Sequence, residues 1–499
     1  MALSLSSCLR SWPSFYTVVG RRYFHPHTHV PGPFLWSVFG LPLPYQQPPW
    51  KGSLCMCSPS STPSTVCPVV RISPDEIYFS DPKNYDRIHS VGSKFYKDPA
   101  FYGYMEGPLK TPIILIVIPN EDHRVRRAFE PIVRGKARKL VELIEATLLS
   151  GKEGRPGPGV FDAYHAVRAF SVDMDMENWS AGYQEVIRPV QSFFPWFSTF
   201  PFLSSVFGLV PDSVNFVLFP WFKKWYDSLQ VIRTAATRVQ KEISMGVVPP
   251  RRTIFHNLMD PPPFEDEGDN KKQRPRLSDE IVFADAVNVT GAGAETTGST
   301  VGRTIFEVIS NPVVYATLSQ ELREALPSSD PDTFSLVALE KLPYLSAVIK
   351  EAMRPPPACR PGWGAGVTFN GYTVLPGTVV SMSAWTLYYN TEAFPDPERF
   401  DPTRRTNAPS ADALRAREKS MIPLGRGSRT CLGQNLALCE LHYNLASIFR
   451  RFDFDGDSTG RRLGVHPDFA RSNLQLVEML LGYHPRKARE LRLILESAK

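Results

Sequence analysis

Apolar and polar positions along the chain repeat with two periods, and the helical one dominates. Residues 121–149 recur at helical spacing with many basic positions on the polar side. Ser278-Asp-Glu280 opens a longer helical stretch that runs to about Ser310, with Ser278 as the N-cap and Asn311-Pro312 as the stop. Leu318–Leu326 and Leu339–Arg354 predict two more helices, and Leu436, Ala437, Glu440, Leu441, Asn444 and Leu445 a last one. Strand-like alternation is confined to short runs. Residues 67–80 predict a hairpin, residues 112–119 have strand composition, and residues 367–381 predict strands joined by turns, with Asn370-Gly371 as the hairpin signal. The expected fold is mainly α with a minor β region.

The remaining segments lack either period. Residues 1–20 are mildly apolar but interrupted by Arg10, Pro13 and several serines, short of the roughly 20 apolar residues that a spanning helix needs. Arg21-Arg22 follows, then a proline-rich stretch, and residues 51–66 are low in complexity. The chain is therefore divided at residue 66: residues 1–66 are membrane-proximal, anchor-like and low in complexity, and residues 67–499 form the main domain. Residues 186–226, rich in Phe, Pro and Trp, predict apolar helices and loops around a pocket, and residues 249–277, dense in proline and charge, an exposed linker.

Composition narrows the function classes. With 499 residues and 42% hydrophobic content the chain can bury one large core. A net charge of +6, with basic residues not interleaved with aromatics into a stripe, argues against nucleic acid and leaves room for a membrane surface or an acidic partner. The seven cysteines are odd in number and irregularly spaced, which argues against a disulfide framework or a zinc site.

One of those cysteines stands apart. Cys431 lies in Pro423-Leu-Gly-Arg-Gly-Ser-Arg-Thr-Cys-Leu-Gly-Gln-Asn-Leu-Ala437, with Gly425, Gly427 and Gly433 around it and a helical pattern just after. The glycines permit tight turns and close approach to something flat, and a helix N-terminus favours negative charge on the sulfur. A thiol so placed suits an axial ligand of haem iron, whereas a lone cysteine more often packs as a small hydrophobe. Upstream, Gly291 and Gly293 sit mid-helix, just before and within Ala292-Gly-Ala-Glu-Thr-Thr297, each costing about 1 kcal/mol relative to Ala. A close helix–helix contact through small residues is the plain reading of that stretch; a bulge beside something flat is the other.

The Cys431 loop resembles the haem signature of the cytochrome P450 family, Phe-x-x-Gly-x-Arg-x-Cys-x-Gly. Gly427, Arg429, Cys431 and Gly433 match, and Leu424 stands for the Phe. Ala292–Thr297 resembles the family's oxygen-activation motif. Lys350-Glu-Ala-Met-Arg354 resembles its Glu-x-x-Arg brace, and His123-Arg-Val-Arg-Arg127 its haem-propionate helix in a fungal form.

The resemblance implies the haem-thiolate fold and haem b ligated by Cys431, with Gly427, Gly433, His123, Arg127 and Arg429 also binding the haem. It implies that Thr296 handles dioxygen, that Glu295 gates protons, and that Glu351 and Arg354 form a buried brace with a later arginine. Arg399, in the literal Pro-Glu-Arg-Phe string, and Arg404, in the fungal register, are the candidates, and the register favours Arg404. The implied activity is a fungal-type monooxygenase of secondary metabolism. It would insert one atom of O2 into a lipophilic molecule such as a terpenoid or polyketide. Electrons would come from NADPH through NADPH-cytochrome P450 reductase, on the cytosolic face of the endoplasmic reticulum membrane. A haem-thiolate enzyme of desaturation or rearrangement, and a non-catalytic haem-binding remnant, are the rival readings. The remnant is suggested by segments 51–66, 169–180 and 355–366, which depart from the family pattern; in the last of these, Arg360 could replace a missing basic residue.

Overall fold

The structure, a computed structural model, describes residues 18–39, 69–91, 93, 95–97, 123–150, 160–162, 170, 209–247, 259–260, 264–265, 271–272, 279–354, 360–364, 367–382, 384–427, 430–431, 433–452, 461–465 and 492–497. Its described part is mostly helical with small sheets. The helices that frame the site are α1 (Lys83–His89), α2 (His123–Ser150), α3 (Pro220–Ser244), α4 (Asp279–Ile309), α5 (Pro312–Ala325), α6 (Pro343–Met353), α7 (Ala411–Ser420) and α8 (Gln434–Arg451). One sheet has the strands β1 (Val69–Ser73), β2 (Glu76–Phe79), β3 (Tyr96–Lys97), β4 (Arg360–Gly364) and β5 (Thr378–Met382), in the order β1-β2-β5-β4-β3.

Local signals account for many of the element ends. The Asn311 side chain accepts from Val314 N, and Pro312 occupies the first position of α5, where its missing N–H costs nothing. That cap starts α5 six residues before the predicted Leu318. Residues 339–354, expected as one helix, are two, Leu336–Glu340 and α6, because Pro343 opens α6 and cannot continue the preceding helix. Inside α2, Pro131 has no N–H to give to the carbonyl of Arg127, a cause of bending.

Two apolar clusters hold the fold. In the first, Val133, Leu140 and Ile144 of α2, Val301, Ile305 and Val308 of α4, Leu318 and Leu322 of α5, Leu345 and Val348 of α6, and Leu445 and Phe449 of α8 pack together. In the second, Ile77 and Phe79 of β2 meet Val380 and Met382 of β5, with Phe369 and Tyr388. The predicted hairpin at residues 67–80 is the antiparallel pair β1–β2. Val367–Phe369 pairs with Tyr372–Val374 across Asn370 and Gly371, at φ 47° and 84°, as a two-residue hairpin turn requires.

Some expectations fare differently. Within the predicted linker 249–277, Phe264–Glu265 pairs antiparallel with Lys271–Lys272, with Glu265 opposite Lys271 in the register. Residues 34–39, expected to be irregular, form a helix. The predicted strand at 112–119, and most of 186–208, lie outside the described residues.

The N-terminal stretch is fastened to the sheet. Arg71 of β1, 1% exposed, donates from Nη1 to Arg21 O and from Nε and Nη2 to Pro74 O, and Arg71 N donates to Pro31 O. Gly32 lies so close that a Cβ there would stand 2.3 Å from Arg71 O. His27 Nε2 shares a 2.8 Å hydrogen bond with Thr378 Oγ1 of β5, 351 residues away, and Nδ1 is buried without a partner among the described residues.

The His27 pKa is pushed down to about 4, chiefly by burial, with His25, Arg71 and His29 also opposing protonation and Asp75 favouring it. A released segment would titrate at the ordinary 6.5. The contact is therefore fully present above pH 6.5 and is lost as pH falls towards 4, at a cost of at most about 3 kcal/mol. His27→Gln, which keeps a partner for Thr378, should flatten the fall in stability over that window. Thermal unfolding from pH 7 to 4 measures it, and an unchanged slope would assign the titration elsewhere.

Candidate functional site

The Cys431 loop is built by backbone hydrogen bonds and two left-handed glycines. Gly425 N donates to Ile422 O at 3.0 Å, Thr430 Oγ1 to Gly427 O at 2.8 Å, and Cys431 N to Leu424 O at 2.7 Å. Gly425 and Gly427 have φ of 70° and 68°, where a side chain would be strained. The close approach expected at Gly427 is to another helix: a Cβ there would stand 1.8 Å from His89 O at the end of α1. Gly433, at φ −81°, caps α8 in an ordinary conformation, and a Cβ on it would meet nothing within 4 Å. Its value is the unfilled space in front of it. Cys431 is a free, half-buried thiol, while Cys439, also in no disulfide, lies in the core, 1% exposed.

Helix α4 supplies a second open face. A Cβ on Gly293 would meet nothing within 4 Å, and Thr296 is exposed, although Thr297, Ser299, Val301 and Ile305 just beyond are buried. Thr296 Oγ1 donates to Ala292 O at 2.7 Å, Thr300 Oγ1 to Thr296 O at 2.8 Å, and Thr304 Oγ1 to Thr300 O at 2.6 Å. Such back-bonding along one face loosens and bends a helix. With its proton committed to Ala292, the Thr296 hydroxyl offers lone pairs to its open side. Thr300 and Thr304 were legible as a four-residue repeat but not singled out from the sequence. The backbone of Glu295 is helical, and its side chain lies outside the description.

The brace gathers where α6 meets the segment before α7. Glu351, Arg354 and Arg404 are 6%, 2% and 8% exposed. Arg354 Nε donates to both Glu351 carboxylate oxygens at 3.1 Å, and Nη2 to Oε1 at 2.9 Å. Arg404 Nε donates to Glu351 Oε1 at 3.3 Å, and Asp401 N to the same oxygen at 3.2 Å. Arg404 also donates to Pro395 O, Asp396 O and Arg399 O. Arg399 is itself exposed and takes part through its carbonyl, which accepts from Arg354 and Arg404.

Two residues that the sequence did not point to extend this cluster. Arg417 of α7 is buried and donates to Ala393 O and Arg404 O. Tyr388 accepts from Arg354 Nη1 through its carbonyl and from Ile422 N through its hydroxyl. The brace is thereby linked to the start of the Cys431 loop. An arginine in a helix dense with charge and a tyrosine in an apolar run carry no local sign of such roles.

Of the remaining expected haem contacts, His123 and Arg127 lie one turn apart in the first two turns of α2, with side chains outside the description, as is all of Arg429. Further along α2, Glu130 Oε1 accepts from Tyr443 Oη of α8 at 2.9 Å and from Leu336 N at 2.8 Å. Burial first, and then the bond to Glu130, raise the Tyr443 pKa, so the phenol remains the donor. This tie sets α2 against the helix that follows Cys431. Arg360 falls in β4, with its side chain outside the description.

These residues fit a haem. A free thiol stands at the end of a hydrogen-bonded loop, Gly293 and Gly433 each border open space, and an exposed hydroxyl lies just before the buried stretch of α4 at Thr297–Ser299. Among the described residues no group of three or more His, Cys, Asp or Glu could hold a metal ion, and a single sulfur donor suits an iron macrocycle.

Comparison with known proteins agrees with this chemistry. Residues 120–468 match the family model described as Cytochrome P450. Among curated proteins, the chain is 28% identical over 471 residues to the cytochrome P450 monooxygenase BOT1 of Botryotinia fuckeliana, covering 87% of each chain. It is 30% identical over 420 residues to the cytochrome P450 monooxygenase oblB of Emericella variicolor, covering 77% of this chain and 74% of the relative. A third similar protein is the cytochrome P450 monooxygenase macH of Penicillium terrestre, at 28% over 430 residues and 78% of each.

Proposed function

The chain belongs to the cytochrome P450 family of monooxygenases, and on that premise we propose that it oxidises a lipophilic small molecule of fungal secondary metabolism, a terpenoid or polyketide. One oxygen atom of O2 enters the substrate and the other leaves as water, with two protons and two electrons consumed. The electrons come from NADPH through NADPH-cytochrome P450 reductase. The enzyme works at the cytosolic face of the endoplasmic reticulum membrane. Among the described residues no helix is long and apolar enough to cross a membrane. The attachment in this reading is made by the N-terminal segment, residues 1–66. The aromatic-rich residues 186–226 support an apolar substrate.

The observation that carries this reading is the half-buried Cys431 thiol on its hydrogen-bonded loop, and the open space at Gly293 beside the exposed Thr296 hydroxyl on α4 supports it. Haem b, when bound, supplies dioxygen activation and the oxidising power. Cys431 would hold it by sulfur and donate charge. His123, Arg127 and Arg429 would pair with its carboxylates, and Gly427 and Gly433 would shape the loop around the ligand. Thr296, a lone-pair acceptor on its open side, would hold a water or a protonated oxygen in place. Glu295, next to it, would pass protons inward.

Thr296→Ala should keep haem and substrate binding while product per reductant consumed falls and peroxide rises, because the water or oxygen it would hold for proton delivery is no longer positioned. Stoichiometry of reductant, product and peroxide checks this. Unchanged coupling would confine Thr296 to helix packing.

A further inference from the structure

The Cys431 loop is held from outside by a surface residue beyond the haem-binding pattern. Arg426, between the two left-handed glycines, is half-buried and reaches two separate helices. Its Nη1 donates to Asp86 Oδ1 of α1 at 3.0 Å, and its Nη2 donates to Glu418 O near the end of α7 at 2.6 Å. The next residue, Gly427, is pressed against the end of α1, where a Cβ would stand 1.8 Å from His89 O and 2.9 Å from Ser90 C. Shape and charge thus act together at one edge of the loop. The same loop is closed at its other end by Cys431 N donating to Leu424 O.

We propose that Arg426 is a positioning residue that, through Asp86 and the Glu418 carbonyl, sets the geometry of the Cys431 loop and so keeps the sulfur in its ligating position. An exposed ion pair contributes little to the stability of a whole domain. Its effect here is local, because a planar guanidinium with two fixed N–H directions can span two helices at once. Lysine, a point charge, keeps the pull of Asp86 but does not reproduce the fork.

The proposal rests on Cys431 being the haem ligand, so the test reads the loop both with and without reference to the haem. Arg426→Ala, Arg426→Lys, Asp86→Ala and the exchanged pair Asp86→Arg with Arg426→Asp are prepared as haem-loaded full chains. Amide exchange is followed at Leu424–Gly433, and the reduced CO complex is followed over time for conversion from the thiolate to the thiol spectrum. Arg426→Ala should speed exchange at Cys431 N–H by about tenfold, with little change in the core helices. Its conversion to the thiol spectrum should be several-fold faster than wild type. Asp86→Ala and Arg426→Lys should fall between, and the exchanged pair should recover part of the loss.

Wild-type exchange and wild-type conversion in Arg426→Ala would overturn the proposal. So would a loosening spread equally over α2, α4 and α8, which marks general destabilisation. If Arg426→Ala yields no soluble protein, Asp86→Ala decides by the same two readouts. A wild-type protein without the thiolate spectrum would instead refute Cys431 as ligand, while the exchange measurement still judges the tether.

Discussion

Arg354→Ala should leave little folded, haem-loaded protein. Arg354 meets both oxygens of the Glu351 carboxylate and the carbonyl of Tyr388, and all of this is buried. Its removal strands Glu351 with only Arg404 and the Asp401 amide, and stranding one member of a buried pair costs about 3–5 kcal/mol. It also removes the donor to Tyr388, whose hydroxyl accepts from Ile422 at the start of the Cys431 loop. Loss of folding and loss of loop geometry therefore point the same way. Arg404→Ala should do similar harm, because its guanidinium serves Glu351 and three backbone carbonyls. Arg399→Ala should cost within about 0.5 kcal/mol, since the exposed side chain is not the group in use and its carbonyl survives the substitution. Haem content per polypeptide and the unfolding midpoint of the three variants rank them. If Arg399→Ala proves the more damaging, the literal Pro397–Phe400 string supplies the brace.

Cys431→Ala should abolish thiolate ligation outright. Among the described residues the other cysteine is Cys439, and it is 1% exposed within the core packing of α8. The reduced CO complex should therefore lose its thiolate spectrum completely, with haem retention falling as well. Cys431→His should recover some haem but not turnover, because a neutral imidazole gives less charge to the iron than a thiolate. A surviving thiolate spectrum in Cys431→Ala would move the ligand to Cys359 or Cys439.

Two kinds of site residue separate here. The candidates that local pattern supplies come from motifs in which spacing along the chain equals spacing in space: Glu351 and Arg354 one helical turn apart, Thr296 in a glycine-bearing helix, Cys431 just before a helix. Those not recognised act across long gaps. Arg426 meets Asp86 from 340 residues away, and Tyr443 meets Glu130 from 313. Nothing within a short window distinguishes such an arginine or tyrosine from one that faces solvent.

By itself the sequence determined the mainly helical class, the hairpins at residues 67–80 and 370–371, the stop and cap at Asn311-Pro312, and the family to which the Cys431 loop pointed. Each depends on neighbours within a few residues, through turn conformations, cap hydrogen bonds and periodicity. The sequence did not determine why Gly427 must be glycine, since the obstacle is the His89 carbonyl on a helix more than 300 residues earlier. Nor did it show that residues 18–39 lie against the sheet, a contact made by buried Arg71 of β1 and by His27 on Thr378 of β5. Between Arg399 and Arg404, five residues apart and alike in chemistry, register could only favour one. The tertiary structure placed the Arg404 guanidinium on Glu351 and left the Arg399 side chain in solvent, because burial depends on which surface the rest of the chain covers.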